Sequence, residues 1–472
     1  MTIRLFNTMS RKLEVFKPLV PGHMGFYSCG PTVYWDQHIG NMRSFVNSDI
    51  LKRMFIENGY TVRHVMNITD VGHLTSDEDS GEDKMEKGAA REKMSAWDIA
   101  KKYTDAFLRD IDALNIIRPS AMPHATDYIQ EQIDQVKKLE ALGYTYEIPG
   151  DGIYYDTSKF PDYGMLGGQN LSELRAGARI DDSGKRNPTD FALWKFSPKD
   201  KKRAMEWDSP WGVGFSGWHI ECSAMSMKLL GPHFDIHVGG QEHIKVHHSD
   251  EIAQSEPIVG KPWVNYWLHY EWLLAKDGKM SKSSGDFLTV RDLIERGYDP
   301  MAFRYMLLMG HYRQPLDFSF EALDAASTGY KNVVRRIADL MSNTQPGTLD
   351  HGVYDTWHNK ILEVVSDNMK TATALVLMQD MLKDATVNPT TKLALFEFID
   401  RLLGLQFIDR AKKLHNVENI AIPAEIQALA DARQDAKAVC NYARADEIRA
   451  QLDMAGWSIV DTRDGAKIVK KA

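Results

Sequence analysis

Cysteine is scarce. The chain holds three, Cys29, Cys222 and Cys440, odd in number and far apart, which excludes a disulfide framework and leads us to expect a reducing compartment, the cytoplasm. No apolar run approaches the roughly 20 residues that cross a bilayer, and the N-terminal MTIRLFNTMSRK lacks the apolar core of a signal peptide. No membrane role is expected. Internal repeats and low-complexity segments are missing too. Positive charge is in deficit: 57 Lys and Arg against 65 Asp and Glu give a formal net charge of −8. Total charge therefore argues against a nucleic-acid partner, although a local basic patch matters more than the sum. What is present is 472 residues, 43% of them hydrophobic, enough for a sizeable core and for about three domains at roughly 150 residues each.

The apolar stretch 24–29 reads as a buried strand ending in the turn Gly30-Pro31. Phe45, Val46, Ile50 and Met54 then recur at helical spacing up to Gly59, and TVRHVMNI at 61–68 returns as a strand. Strand, helix and strand in this order predict a parallel sheet with a right-handed crossover. The segment 76–94, rich in both charges, reads as exposed. Pro119 and Pro123 mark a boundary, after which Ile129, Ile133 and Val136 begin a helix and 150–155 reads as a turn and strand. Residues from about 120 to 205 therefore read as an insertion, with SPKDKKR at 197–203 on its surface. The sheet pattern resumes at Gly217. From Asp299 to about Leu405 the chain is helical, and the remainder holds one long helix at 433–454 and a hairpin turned at Asp464-Gly465.

Two segments carry chemistry. KMSK at 279–282, on a loop closing with Gly285, offers Lys279, Ser281 and Lys282 as a cationic clasp for a triphosphate. Far upstream, His38, Gly40 and Asn41 of HIGN stand between the first strand and its helix, where ligands bind such sheets and where unpaired backbone N–H groups favour an anion. Taken alone, HIGN reads as an ordinary turn and KMSK as a solvated loop; it is the two together that point to phosphate chemistry. A possible metal set is separate: His247 and Glu251, four apart, project from one helix face, and Cys29 and Cys222 add thiols, a zinc-type donor set. Without CxxC or HxxxH spacing, the pattern by itself fits two buried thiols better than a metal site.

The pair HIGN and KMSKS resembles the signature pair of class I aminoacyl-tRNA synthetases. CGPTVY, NITD, PTDFALWK, GWHIECSAMS, EIAQSE, ARADEIRAQL and GWSIVDTRDG stand in the order found in cysteinyl-tRNA synthetases, and this resemblance spans nearly the whole chain. It implies an α/β fold: a Rossmann-like catalytic domain in two halves (1–118 and 211–298) split by a connective insertion (119–210), then a helical bundle (299–405) and a small C-terminal anticodon-binding module (406–472). It implies one zinc ion on Cys29, Cys222, His247 and Glu251, Mg2+ with ATP, and cysteine and tRNA(Cys) as partners of a monomer. His38, Asn41, Lys279 and Lys282 would be catalytic. Gly40, Glu242 and Ser281 would join them in binding ATP, with Glu242 facing the ribose. Gly30, Thr32, Thr69, Trp218 and His237 would bind the amino acid, and His219, His243 and His248 would back the metal ligands. Serine is nearly isosteric with cysteine, and apolar pockets separate such pairs by only about 10–200-fold. A soft metal prefers the thiolate, so zinc would select sulfur and make an editing domain unnecessary.

Two positions depart from the family pattern. Asn41 stands where a second histidine is usual, and GGQEHIKVHH at 239–248 replaces GGxDLxFPHH, putting Lys245 and Val246 where an aromatic residue and a proline are common. Two other readings compete. A mycothiol-pathway ligase would join cysteine to an amino sugar and would have no use for the helical and C-terminal regions. A catalytically dead tRNA-binding paralogue would not need an intact KMSKS and a full ligand set.

Overall fold

The strand, helix and strand expected near the N-terminus are His23–Ser28 (β1), Ile39–Glu57 (α1) and Thr61–Met66 (β2), and β1 pairs with β2 in parallel. The computed structural model describes residues 1–72, 83–169, 184–198, 200, 202–275, 278–279, 287–343, 347–418, 423–462 and 465–470. After α1 and β2, the sheet is completed by Phe234–Gly240 (β3) and Val264–Tyr270 (β4). Trp218–Leu230 (α2) precedes β3, and His247–Val259 (α3) crosses from β3 to β4. The strand order is β4-β3-β1-β2, all parallel. Every residue of β3 is buried, as a strand covered on both faces requires. Chain order reverses between β1 and β3, so their carboxyl ends flank the crevice where such sheets bind ligands.

The insertion adds an antiparallel sheet of Thr145–Ile148, Gly152–Tyr155, Phe191–Phe196 and Gly214–Ser216. It shares one core with the parallel sheet: Ile133, Val136 and Trp194 pack in the same cluster as Tyr27, Val65 and Trp267. Three sequence expectations need correction here. The element directly after Gly217 is the helix α2, and the sheet resumes only at Phe234. Within 76–94, Lys84–Glu92 is a helix whose cap Asp83 and first residues Lys84 and Met85 are buried. In the lysine-rich loop Arg203 is buried, because its guanidinium pairs with the Asp83 carboxylate and donates to the Gly72 carbonyl at 2.7 Å.

α1 is anchored by charge as well as by apolar packing. The buried Arg43 guanidinium donates to the carbonyls of Glu271, Trp272, His311 and Gln314. One helical turn and more along, buried Asp49 accepts from Arg53 at 2.7 Å and from Arg304, and Arg304 also donates to the carbonyls of Leu403 and Leu114. The helix that bears HIGN is thereby fixed to the segments that follow the sheet.

The chain divides into two compact units, one of residues 1–327, 356–383 and 401–405, the other of 328–355, 384–400 and 406–472. In the second unit the expected single helix is two, Ala424–Ala438 (α4) and Tyr442–Met454 (α5). Cys440 takes a left-handed φ of 58° and Asn441 caps α5, its side chain accepting from Arg444 N at 3.2 Å. The reversal lets Ile426 and Ala430 of α4 meet Ile448 and Leu452 of α5 over Trp457 and Ile459 of the hairpin Trp457–Thr462/Gly465–Lys470, which one straight helix could not do. Arg433, the first residue of the expected helix, is buried in this unit. No helix among the described residues is long and apolar enough to cross a membrane.

Candidate active site

The chain leaves β1 through Cys29 and Gly30. Cys29 N donates to Val238 O of β3 at 3.2 Å and Gly30 N to the Asn67 side chain at 2.8 Å. A Cβ at Gly30 would lie 1.6 Å from Asn67 O, so only glycine lets β1 and β2 close this tightly. A crevice of about 590 Å³ opens above these strand ends. Cys29, Gly30, Thr32, His38, Asn41, Trp218 and Glu242 all line it, and they come from three separate regions of the sequence.

His38 caps α1, with Nδ1 accepting from Asn41 N at 3.2 Å. A nitrogen that accepts a hydrogen bond leaves the proton of the neutral ring on Nε2. The first turn of α1 has no acidic residue, so its positive end is uncompensated there. Asn41 Nδ2 donates to Gln37 Oε1 at 2.7 Å, and Glu242 Oε2 accepts from Trp272 Nε1 at 2.6 Å. A Cβ at Gly40 would meet the His38 ring at 2.7 Å.

Beneath the crevice the four sequence candidates for a metal meet: one donor atom from each of Cys29, Cys222, His247 and Glu251 lies within 4.8 Å of the others. Zinc bond lengths of about 2.0–2.3 Å suit that spacing. Glu251 Oε1 is buried with no hydrogen-bond partner, although His247 Nε2 lies 2.9 Å away; a cation between them would satisfy both. Cys29, His237, His248 and Glu251 form a second possible group. The first is favoured because it brings two thiols to the ion where the second brings one, and zinc takes thiolate readily. His247 has Nδ1 held by His219 at 2.8 Å, with Asp250 3.2 Å behind His219, which turns Nε2 to the centre.

Burial raises the Cys29 thiol, whereas the hydrogen bond from Cys29 lowers Cys222 against the effect of its own burial. Burial would raise Glu251 too, but the charges of His237 and His247 outweigh it and hold the carboxylate at about 2. The carboxylate is thus ionised, and the Cys222 thiol gives up its proton more readily than Cys29, before any metal arrives, which suits a divalent cation.

Other candidates fall elsewhere. His237 is fully buried behind the quartet, its Nε2 2.8 Å from Glu251 Oε2, and Thr69 is buried between Asn67 and Glu221; neither lines the crevice. His243 does line it. Of KMSK, the backbone of Gly278–Lys279 pairs with Leu274 and Ala275, while Ser281, Lys282 and the Lys279 side chain lie outside the described residues. Sequence reasoning missed Lys84, Gln37 and Tyr34, which also line the crevice. For Lys84 a signal existed: Asp83 followed three residues later by Glu86 is a helix start, and the dense charge around it hid the pattern.

The chain is similar to known proteins over nearly its whole length. The model of the family of tRNA synthetases class I (C), catalytic domain, matches residues 15–328. The chain is 47% identical to cysteine–tRNA ligase 1 of Burkholderia lata over 99% of this chain and 97% of that protein. It is 44% identical to the cysteine–tRNA ligase of Treponema denticola over 98% of each, and 38% identical to that of Thermus thermophilus over 99% of each. In fold it is similar to Mycobacterium tuberculosis methionyl-tRNA synthetase bound by methionyl-adenylate, with TM-score 0.57 and 15% identity over 86% of this chain and 95% of that one.

Proposed function

Because the chain belongs to the cysteine–tRNA ligases, a family of class I tRNA synthetases, we propose that it activates cysteine with ATP to cysteinyl-adenylate and passes the cysteinyl group to the 3′ end of tRNA(Cys). The observation that carries the reading is the meeting of Cys222, His247 and Glu251 with Cys29, which itself lines a crevice rimmed by the N-terminus of α1. In the first step a carboxylate oxygen of cysteine bonds to the α-phosphorus and pyrophosphate leaves. In the second, a hydroxyl of the terminal ribose takes the acyl group and AMP leaves.

The chain's own groups orient and stabilise. His38 Nε2–H and the Gly40 N–H at the first turn of α1 would supply donors for phosphate oxygens, Ile39, Asn41 and Met42 already donating within the chain. Gly40 keeps the backbone open beside the His38 ring. Glu242, held through Oε2 by Trp272, would face a ribose hydroxyl. Gln37 holds the Asn41 amide, so Asn41 would reach phosphate through its remaining N–H. Lys279, Ser281 and Lys282 would close over the triphosphate, which enters with Mg2+. Gly30, Thr32 and Trp218 line the place of the amino acid, while Thr69 and His237 support that wall from behind, Thr69 through Glu221 and His237 through Glu251.

A zinc ion on Cys29, Cys222, His247 and Glu251 would supply a soft acceptor for the substrate's thiolate, which serine cannot match. His219 and His248 would hold His247 and Cys29 in place for it. The HIGN cap, the metal ligands and KMSK all stand in one chain, so a monomer suffices, and the cytoplasm is the compartment that suits three free thiols. The test is amino-acid-dependent ATP–pyrophosphate exchange across the twenty amino acids, with metal analysis of protein purified without added zinc. Exchange with cysteine alone, and one zinc per chain that is lost in Cys222→Ala, is the expected result. Metal-free protein, or full cysteine activation by Cys222→Ala, would refute it.

A further inference from the structure

Phe287 ends the stretch KMSKSSGDF and is not part of the crevice wall, whereas His38 is. Its ring nevertheless bears on the HIGN segment. It stands 5.9 Å from the His38 imidazole with the planes at 82°, and 6.1 Å from the Trp35 indole at 74°. Both are the edge-to-face arrangement that aromatic pairs prefer. The backbone repeats the contact one residue on, where Ile39 N donates to Leu288 O at 2.8 Å. The first N–H of α1, which has no partner within its own helix, thus ties the cap of α1 to the segment that follows KMSK.

The ring behind Phe287 is itself fixed. The Arg91 guanidinium lies 3.5 Å over the Trp35 ring and donates to Tyr34 O at 3.0 Å and to the Tyr103 hydroxyl at 3.1 Å. Glu92 pairs with the same guanidinium at 2.7 Å. A Cβ at Gly88 would meet Tyr34 O at 3.1 Å, so the helix Lys84–Glu92 packs closely on the residues before HIGN. Phe287 therefore rests against an indole that Arg91 holds in place.

The consequence falls on His38. Its Nδ1 accepts from Asn41 N at 3.2 Å, which sets where that atom lies. The terminal torsion of a histidine is broad, and a ring standing at right angles against the imidazole narrows it. We propose that Phe287 is a positioning residue for adenylate formation: backed by Trp35, it sets the plane of the His38 imidazole and so the direction in which Nε2–H meets phosphate. It acts at the place where the KMSK segment rejoins the HIGN helix, without touching substrate itself. This rests on the reading of the chain as a ligase in which His38 serves the ATP step.

The test uses the full metal-loaded chain and a double-mutant cycle in ATP–pyrophosphate exchange with cysteine. Phe287→Leu keeps apolar bulk without the ring and should lower kcat by roughly tenfold, the effect of a misdirected group near the reacting atoms. KM for cysteine, cysteine binding measured by calorimetry without ATP, and zinc content should stay unchanged. Phe287→Tyr keeps the ring and should remain within about twofold of wild type. In a His38→Ala background, Phe287→Leu should cost less than about twofold further, because residues that act through one another do not add. Equal losses in the two backgrounds would leave Phe287 a packing role and overturn the proposal. An unchanged rate in Phe287→Leu, or a parallel loss of zinc and cysteine binding, would overturn it too. Wild-type chain that exchanges with no amino acid would instead overturn the ligase reading on which it stands.

Discussion

Asp49→Asn removes a charge from the interior while keeping the shape of the side chain. Asp49 and Arg304 are fully buried and Arg53 nearly so. The carboxylate accepts from Arg53 at 2.7 Å, from Arg304, and from Ile117 N at 2.8 Å. The amide leaves two buried guanidinium groups without a counter-charge, a change that costs about 3–5 kcal/mol. Both retain carbonyl acceptors, Arg53 on Arg401 and Asn115 and Arg304 on Leu403 and Leu114, so the lower end, about 3 kcal/mol, is expected. Thermal unfolding should then begin about 6 °C lower at neutral pH. Burial alone would raise the Asp49 carboxyl, but Arg304 and Arg53 outweigh it and lower its pKa. A lowered carboxylate contributes stability above its unfolded value of about 3.9 and loses it as pH falls through the folded value. The gap between wild type and variant should therefore be full at pH 7 and close below about pH 4. Unfolding monitored by circular dichroism across that range checks both. A variant within about 1 kcal/mol of wild type at pH 7, or a gap that widens in acid, would refute the assignment of this triad as a stabilising charge network.

Three further outcomes are expected. Lys282→Ala should slow ATP–pyrophosphate exchange by about a hundredfold, the effect of losing one preorganised charge-stabilising group; an unchanged rate would return KMSK to a solvated loop. Gly30→Ala forces a Cβ to within 1.6 Å of Asn67 O, so the strand ends must part, and zinc analysis should find the quartet depleted. A chain ending at Glu418 keeps Phe407, whose ring stacks on Tyr330 at 5.2 Å and whose N donates to Asp400, and should still form adenylate. It lacks the α4, α5 and hairpin core and should lose most charging of tRNA in an acylation assay.

The β1-α1-β2 unit was legible because apolar residues gather in each short strand, recur at helical spacing between them, and stop at a glycine, so period and punctuation agree. The metal quartet was not legible from spacing: Cys29, Cys222 and the pair on α3 come from three elements that only the β1/β3 pairing brings together. It entered through family resemblance. The long helix over 433–454 failed because helical propensity continues through Val439 and Cys440, while the N-cap Asn441 and the need to fold two apolar faces onto one hairpin decide the outcome. The charged stretch before Met94 was read as exposed because composition averages over a window. A single capping carboxylate, Asp83, instead pairs with Arg203, while Lys84 beside it lies over the Trp218 ring.

The claim that a metal reads the substrate's sulfur is tested most directly by comparing cysteine with serine in ATP–pyrophosphate exchange, using zinc-loaded chain. The account predicts a preference for cysteine well beyond the roughly 200-fold that an apolar pocket can give between near-isosteres, and its collapse in Cys222→Ala. A ratio within about 200-fold for the loaded wild-type chain would contradict it.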